Sequence, residues 1–291
     1  MTAPCTPLGT FTPNLGLCLP QDGETQWGNA IRGNFTILDG IGVGAGAGAY
    51  ASRGLVGENN AGVGATQYDL QADLVAMRNP LTGLLVVVAP YGPYTVNLAV
   101  NGVNGLDTGS MAPSIWYHFY AITTGSMHGA IASVSPPPTG PALPSGYLAW
   151  AYLGAVFSDG STTLRTVRMQ GARAAYVSAV TMVGGTAPVA GVVTPVGVTT
   201  ICPPNGLSFD VNASVFSTID AVGCYFVHRV SPGIDAAIFR GVGPGLQLAS
   251  HVTLPNFSLD YWYVVMPDTG VCTGGEVNIF AVGYRMPNGG E

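Results

Sequence analysis

Glycine and proline interrupt this chain so often that long helices have no room. There are 42 glycines and 22 prolines in 291 residues. Glycine weakens a helix interior and proline breaks it, whereas both are at home in turns. What the breaks leave are short apolar runs with a period of two. In YDLQADLVAMRN, Tyr68, Leu70, Ala72, Leu74 and Ala76 alternate with more polar positions, and NPLTG then turns the chain into LLVVVAP. YTVNLAV alternates through Tyr94, Val96, Leu98 and Val100. SIWYHFYAI is apolar on both faces, PPPTGPALPSG is a loop, and SDGS joins YLAWAYLGAVF to TLRTVRMQG through a tight turn. Beyond Gly171 seven further strand-like runs follow, from VGVTTI to VNIFAVGYRM. That density of short strands predicts a sandwich or jelly roll, and no α/β alternation competes with it.

One helix is expected, near the start, in TQWGNAIRGNFTILDG. Thr25 caps it, and Trp27, Ile31, Phe35 and Leu38 form one stripe that Gly40 ends. Gly28 and Gly33 sit inside it, each costing about 1 kcal/mol relative to alanine. A helix so weakened needs a partner surface, either copies of itself or a docking site. Glycine then occupies every second position from Gly40 to Gly48. No Gly-Lys-Ser/Thr follows and no strand–turn–helix unit surrounds it, so neither a phosphate loop nor a dinucleotide site is expected. The organisation expected is all-β: an N-terminal segment at 1–40, a glycine-rich linker at 41–54, a β domain at 55–172 and a C-terminal β-sandwich at 173–291.

Charge narrows the functions. Charged residues make up 8% of the chain, all nine basic residues are arginine, and the net charge is −6. No basic stripe is available for nucleic acid. Mean hydropathy is +0.37, yet no uninterrupted apolar run is long enough for a transmembrane helix. The MTAPCTPLGTFTPN start has no basic segment leading into an apolar core, so no signal peptide of that type is expected. With so few charges, solubility rests on uncharged polar groups or on assembly into a larger particle. No cofactor or metal is expected: the five cysteines contain no Cys-x-x-Cys, and the four histidines form no paired ligand motif. The cysteines read as isolated buried thiols, with a Cys202–Cys224 pairing as the open alternative.

Two Asp-Thr-Gly segments, Asp107–Gly109 followed by Ser110 and Asp268–Gly270, resemble the paired loops of an aspartic protease. That chemistry needs two carboxyls sharing a proton, each on a loop leaving an apolar strand. Turn-rich NGVNGL precedes Asp107, Pro267 precedes Asp268, and Val271 stands where a hydroxyl residue belongs. Asp-Thr-Gly is also ordinary turn chemistry, and the turn is the expected role. No Gly-x-Ser-x-Gly elbow is present, and a carboxylate pair for glycan cleavage from Asp220, Asp235 or Asp260 has nothing to single it out.

The segment Asn14 to Gly40 resembles the leader of fibre and other virion-attached proteins of tailed bacteriophages. The matching positions are Trp27, Gly28, Ile31, Asn34, Phe35, Leu38 and Asp39. A second stretch looks like a β domain common in such proteins, through Gly105 to Gly109, Trp116 and Tyr117, Pro144 to Tyr147, and Leu153 to Ala155. It departs at Trp150 and Ala151, where more polar residues are usual, which suggests cover by a neighbouring subunit. The resemblance spans about half the chain. It implies a homotrimer assembled in the host cytoplasm and located in the virion. The N-terminus, through Trp27, Ile31, Asn34, Phe35 and Leu38, would dock on tail, collar or capsid proteins. The C-terminal domain would meet a host-surface glycan or protein. Tyr261 and Tyr263 in SLDYWYVVM are the candidate contacts, although alternation requires that either this pair or Trp262 be core. A capsid-decorating or collar protein is the second reading, and a protease or glycan-degrading enzyme the remote one.

Overall fold

The computed structural model describes residues 10–11, 18–19, 52–186, 189, 191–216, 222–231, 234–241, 247–256, 260–269 and 276–287. The helix expected within 25–40, with Trp27, Ile31, Asn34, Phe35 and Leu38, lies outside these residues, as does the linker up to residue 51. Among the described residues there is no helix: the fold is all-β, as the period-two runs require.

A short antiparallel ribbon pairs β1 (Thr10–Phe11) with β2 (Cys18–Leu19). The next strands are β3 (Ser52–Arg53), β4 (Val56–Asn59), β5 (Gln67–Ala72), β6 (Leu74–Arg78), β7 (Leu85–Val88) and β8 (Tyr91–Asn101). They continue with β9 (Gly105–Leu106), β10 (Ile115–Thr123), β11 (His128–Ser133), β12 (Ala149–Ser158) and β13 (Val167–Gln170). The last group is β14 (Arg173–Thr186), β15 (Thr194–Gly197), β16 (Ser208–Phe216), β17 (Val222–Ser231), β18 (Ile234–Gly241), β19 (Gln247–Pro255), β20 (Asp260–Thr269) and β21 (Glu276–Arg285).

The last group pairs from the outside inward: β14 with β21, β15 with β20, β16 with β19, and β17 with β18, all antiparallel. The chain from 173 to 285 is thus one long hairpin folded back on itself. Wrapping it yields two sheets, ordered β19-β16-β21-β14 and β15-β20-β17-β18. This is the strand order of a jelly roll. Inward side chains interleave between the sheets. Phe209 of β16 meets Tyr261 of β20 edge-on at 6.3 Å.

The first sheet of the roll does not end at β14. That strand pairs with β13, from Val167↔Tyr176 to Gln170↔Arg173, and β13 pairs with β4. The sheet then runs β4-β5-β8-β9-β11-β10-β12-β6, with β3 and β7 both on β6. The pairings are antiparallel except where β9 lies parallel to β8 and β11. The boundary expected at 172/173 falls in the turn of the β13–β14 hairpin, where backbone pairing is continuous.

The core centres on β10 and β12, buried on both faces from Trp116 to Thr123 and from Ala149 to Ser158. Phe119 stacks on Tyr68 at 5.0 Å. Toward the roll, Trp116 takes the edge of Tyr284 at 5.3 Å, and the Tyr284 hydroxyl donates to the Ala155 carbonyl at 2.6 Å. The 198–201 segment is pinned to the same surface: Trp116 Nε1 donates to Thr199 O at 2.7 Å and Tyr176 OH to Ile201 O at 2.8 Å. Trp150 packs edge-on against Tyr120 at 5.2 Å and lies under Gly140, where an added Cβ would come within 2.6 Å of the indole. The expectation that a neighbouring subunit covers Trp150 and Ala151 is therefore corrected: the proline-rich loop and the roll bury this strand within one chain.

Candidate functional site

The aromatic run on β20 resolves by alternation. Tyr261 and Tyr263 point inward at 0% and 4% exposure, while Trp262 is half-buried. Tyr263 stacks on Phe226 at 5.6 Å. Tyr261 OH donates to His228 Nδ1 at 2.7 Å, His228 Nε2–H donates to Ser250 Oγ at 3.0 Å, and Ser250 Oγ donates to Ala213 O at 3.4 Å. That chain of donors holds the imidazole neutral and satisfies every polar atom along it. Burial pushes His228 down to about 4. The two tyrosines are core residues bridging the sheets, so the expected host-surface role for Tyr261 and Tyr263 does not fit their placement.

The Asp-Thr-Gly segments also separate. Asp107 follows β9 in the large sheet. Its Oδ1 accepts the Thr108 N–H at 2.7 Å and its Oδ2 the Ala142 N–H at 3.0 Å. The carboxylate thus braces its own turn against the proline-rich loop, and Gly109 takes the left-handed conformation (φ +80°) that the turn needs. Asp268 lies on β20 in the four-stranded sheet, and Gly270 falls outside the described residues.

The outward face of β14, β21, β16 and β19 carries a row of polar side chains. Cross-strand register places Asn212 of β16 between Phe280 of β21 and His251 of β19. Next along the face, Ser214 lies between Asn278 and Ala249. In the other direction, Asp210 stands opposite Thr253. Its carboxylate accepts from Thr253 Oγ1 at 2.5 Å and from Arg173 at 3.1 Å. Asp210 is 3% exposed, so Arg173 neutralises a nearly covered charge. His251 Nδ1 lies 2.6 Å from Asn212 Oδ1. The small side chains Ser214 and Ala249 leave a groove of about 480 Å³ beside Phe280, Asn212 and His251. The period-two pattern in LSFDVNASVF, LQLASHVTL and VNIFAVGYR carried this outward row. Only the pairing of three distant strands shows that its members are neighbours.

A second row crosses the other unit: Arg168, Glu58, Asp69 and Thr95 are successive cross-strand neighbours on β13, β4, β5 and β8. Asp69 accepts from Thr95 Oγ1 at 2.6 Å and from Asn60 Nδ2 at 3.0 Å, and Glu58 faces Arg168 at 3.7 Å. Each carboxylate thus has its own partner, which relieves the like-charge juxtaposition. Among the described residues no cluster of histidine, cysteine and carboxylates is suited to a metal ion. Cys202 is a free, buried thiol, pushed up to about 12 by burial, so the Cys202–Cys224 pairing is not formed.

Fold and surface together define a jelly roll joined edge to edge with a second β unit, with a polar-aromatic groove on the shared sheet. No protein-family model, curated protein or solved structure matches the chain.

Proposed function

We propose that this chain is a structural component of a bacteriophage particle, a fibre or spike. It attaches through residues 1–40 and contacts the host surface through the C-terminal β domain. The observation that carries the reading is the way the jelly roll is built into its neighbour. A binding module that bears load needs a rigid mount, and here β13–β14 pairing and the Tyr284 contacts with Trp116 and Ala155 join the two units without a linker. Jelly rolls recur in capsid and lectin domains, which is a likeness of fold and not of site. Self-association into a trimer fits the exposed apolar side chains at the β6–β7 hairpin, where Leu81, Leu84 and Val87 are all exposed.

The test is location and mass. Particles from a producing culture, banded on a density gradient and labelled with gold-conjugated antibody to residues 173–291, should carry label on a tail appendage. Label on the head or neck instead would favour the decorating role. Absence of the protein from banded particles would end both. Light scattering of the purified chain should give about three times its 29.8 kDa mass.

A further inference from the structure

From the groove beside Phe280 we infer a binding site for a neutral saccharide, read through the hydroxyls that meet Asn212 and His251. The argument begins with a tautomer. His251 Nδ1 lies 2.6 Å from Asn212 Oδ1, an oxygen that only accepts, so Nδ1 carries the proton. In the neutral ring the other nitrogen, Nε2, then accepts, and the Asn212 Nδ2 group keeps its donors for a ligand. The bonded pair thus presents a donor at Nδ2 and an acceptor at Nε2, at its two ends, for separate hydroxyls of a polyol, one accepting from Nδ2 and the other donating to Nε2. Locking each side chain against the other removes rotamer freedom before a ligand arrives.

The rest of the groove fits the remainder of a sugar ring. Phe280 is half-buried one strand away from Asn212 and offers an apolar face for the C–H side of a pyranose. Ser214 and Ala249 keep the adjoining row low enough for the ring to settle. From β21 to β19 is two strand spacings, about 9–10 Å, a span that one pyranose and its hydroxyls fill. The lining contains no lysine, arginine or carboxylate; one row beyond Asn212 Arg173 and Asp210 neutralise each other at 3.1 Å, and one row beyond Asn278 the only charge in register is the carboxylate of Glu276. An acidic sugar would find no counter-charge there, so the ligand class is a neutral hexose or a glycan presenting one.

The inference deepens the host-contact role proposed above and rests on it for its biological meaning. The binding itself does not depend on that role. Saturation-transfer NMR on the full chain would use methyl α-D-glucoside, methyl α-D-mannoside and methyl β-D-galactoside, with N-acetylneuraminic acid as the charged probe. At least one neutral glycoside should saturate in the millimolar range and the charged probe should not. Asn212→Ala and Phe280→Ala should each weaken binding about tenfold or more, the equivalent of one good contact. Glu58→Gln, in the distant acidic row, should leave it unchanged, and melting curves of all three variants should overlay the parent within a few degrees.

No saturation by any neutral glycoside at about 100 mM, weaker than any specific contact of this size would give, would overturn the site. So would binding that survives both Asn212→Ala and Phe280→Ala, or that is lost in Glu58→Gln instead. Saccharide binding by a chain absent from particles would keep the groove and remove the particle reading. A particle-borne chain that binds no saccharide would do the reverse.

Discussion

Acid should loosen this protein through two histidines, and the size of the effect follows from their burial. His118 on β10 is 2% exposed, its Nδ1 3.4 Å from the Tyr152 hydroxyl; His228 on β17 is fully buried between Tyr261 and Ser250. Burial lowers both to about 4 from an ordinary 6.5. Between those two values the unfolded chain binds a proton at each site and the folded chain does not. Stability therefore falls as pH falls, with a slope of about 1.4 kcal/mol per pH unit for each histidine. From pH 7 to pH 5 each site gives up about 2 kcal/mol, and both together about 4. For a chain of this length that lowers the melting temperature by about 6 °C. Thermal unfolding followed by tyrosine and tryptophan fluorescence, in steps from pH 7.5 to 4.5, measures it. His118→Leu should remove roughly half of the slope, since its imidazole has only a long contact to lose. A profile whose slope is the same in the parent and in His118→Leu would refute the assignment, as would an imidazole resonance of His118 titrating above pH 6 in the folded protein.

Three further outcomes follow from single contacts. Gly283→Val should cost about 1–3 kcal/mol or more, because an added Cβ would lie 2.6 Å from the Ala174 carbonyl and force β21 off β14; urea unfolding measures it, and an unchanged midpoint would show that the strands separate freely. Tyr261→Phe keeps the ring packed but leaves His228 Nδ1 buried without its donor, a loss of about 1–3 kcal/mol by the same measurement. Cys202, buried and with its thiol near 12, should resist a disulfide-exchange reagent in the native protein and react once urea unfolds it. Peptide mapping of the modified chain reads this, and rapid labelling of Cys202 at pH 8 without denaturant would contradict the burial.

Much of this fold is written in the period-two runs, because a strand needs only local alternation to be recognised. What alternation cannot say is which face is inside. In DYWYVV it places Tyr261 and Tyr263 together. Only Phe226, His228 and Phe209, in contacts 33 to 52 residues apart in sequence, decide that their side is the core. SIWYHFYAI is apolar on both faces, and Trp150 and Ala151 in YLAWAYLGAVF suggest cover by a second subunit. The cover is the loop after β11 and the Tyr284 end of β21, neither of which local sequence ties to those strands. The groove was hidden for the same reason. Asn212, His251 and Phe280 are each an unremarkable outward residue until strand order makes them adjacent.

Strand order also explains why the polar groove lies where it does. Among the described residues, of the two sheets of the roll only β19-β16-β21-β14 continues into the second unit, through β13. Its inner face is committed to the roll's own core through Phe209, Val211 and Ile279. Its outer face therefore joins one unbroken ladder of backbone hydrogen bonds to the most buried strands of the chain. A contact made at Asn212 pulls across paired strands toward β10 and β12, where nearly every side chain is enclosed. Among the described residues the four-stranded sheet has no such continuation, so a contact there would reach the rest of the molecule mainly through side-chain packing such as the Tyr261–His228–Ser250 chain. The continuous sheet is thus the better mount for a binding face, and it is the sheet whose outer surface carries an aligned amide, imidazole and phenyl ring.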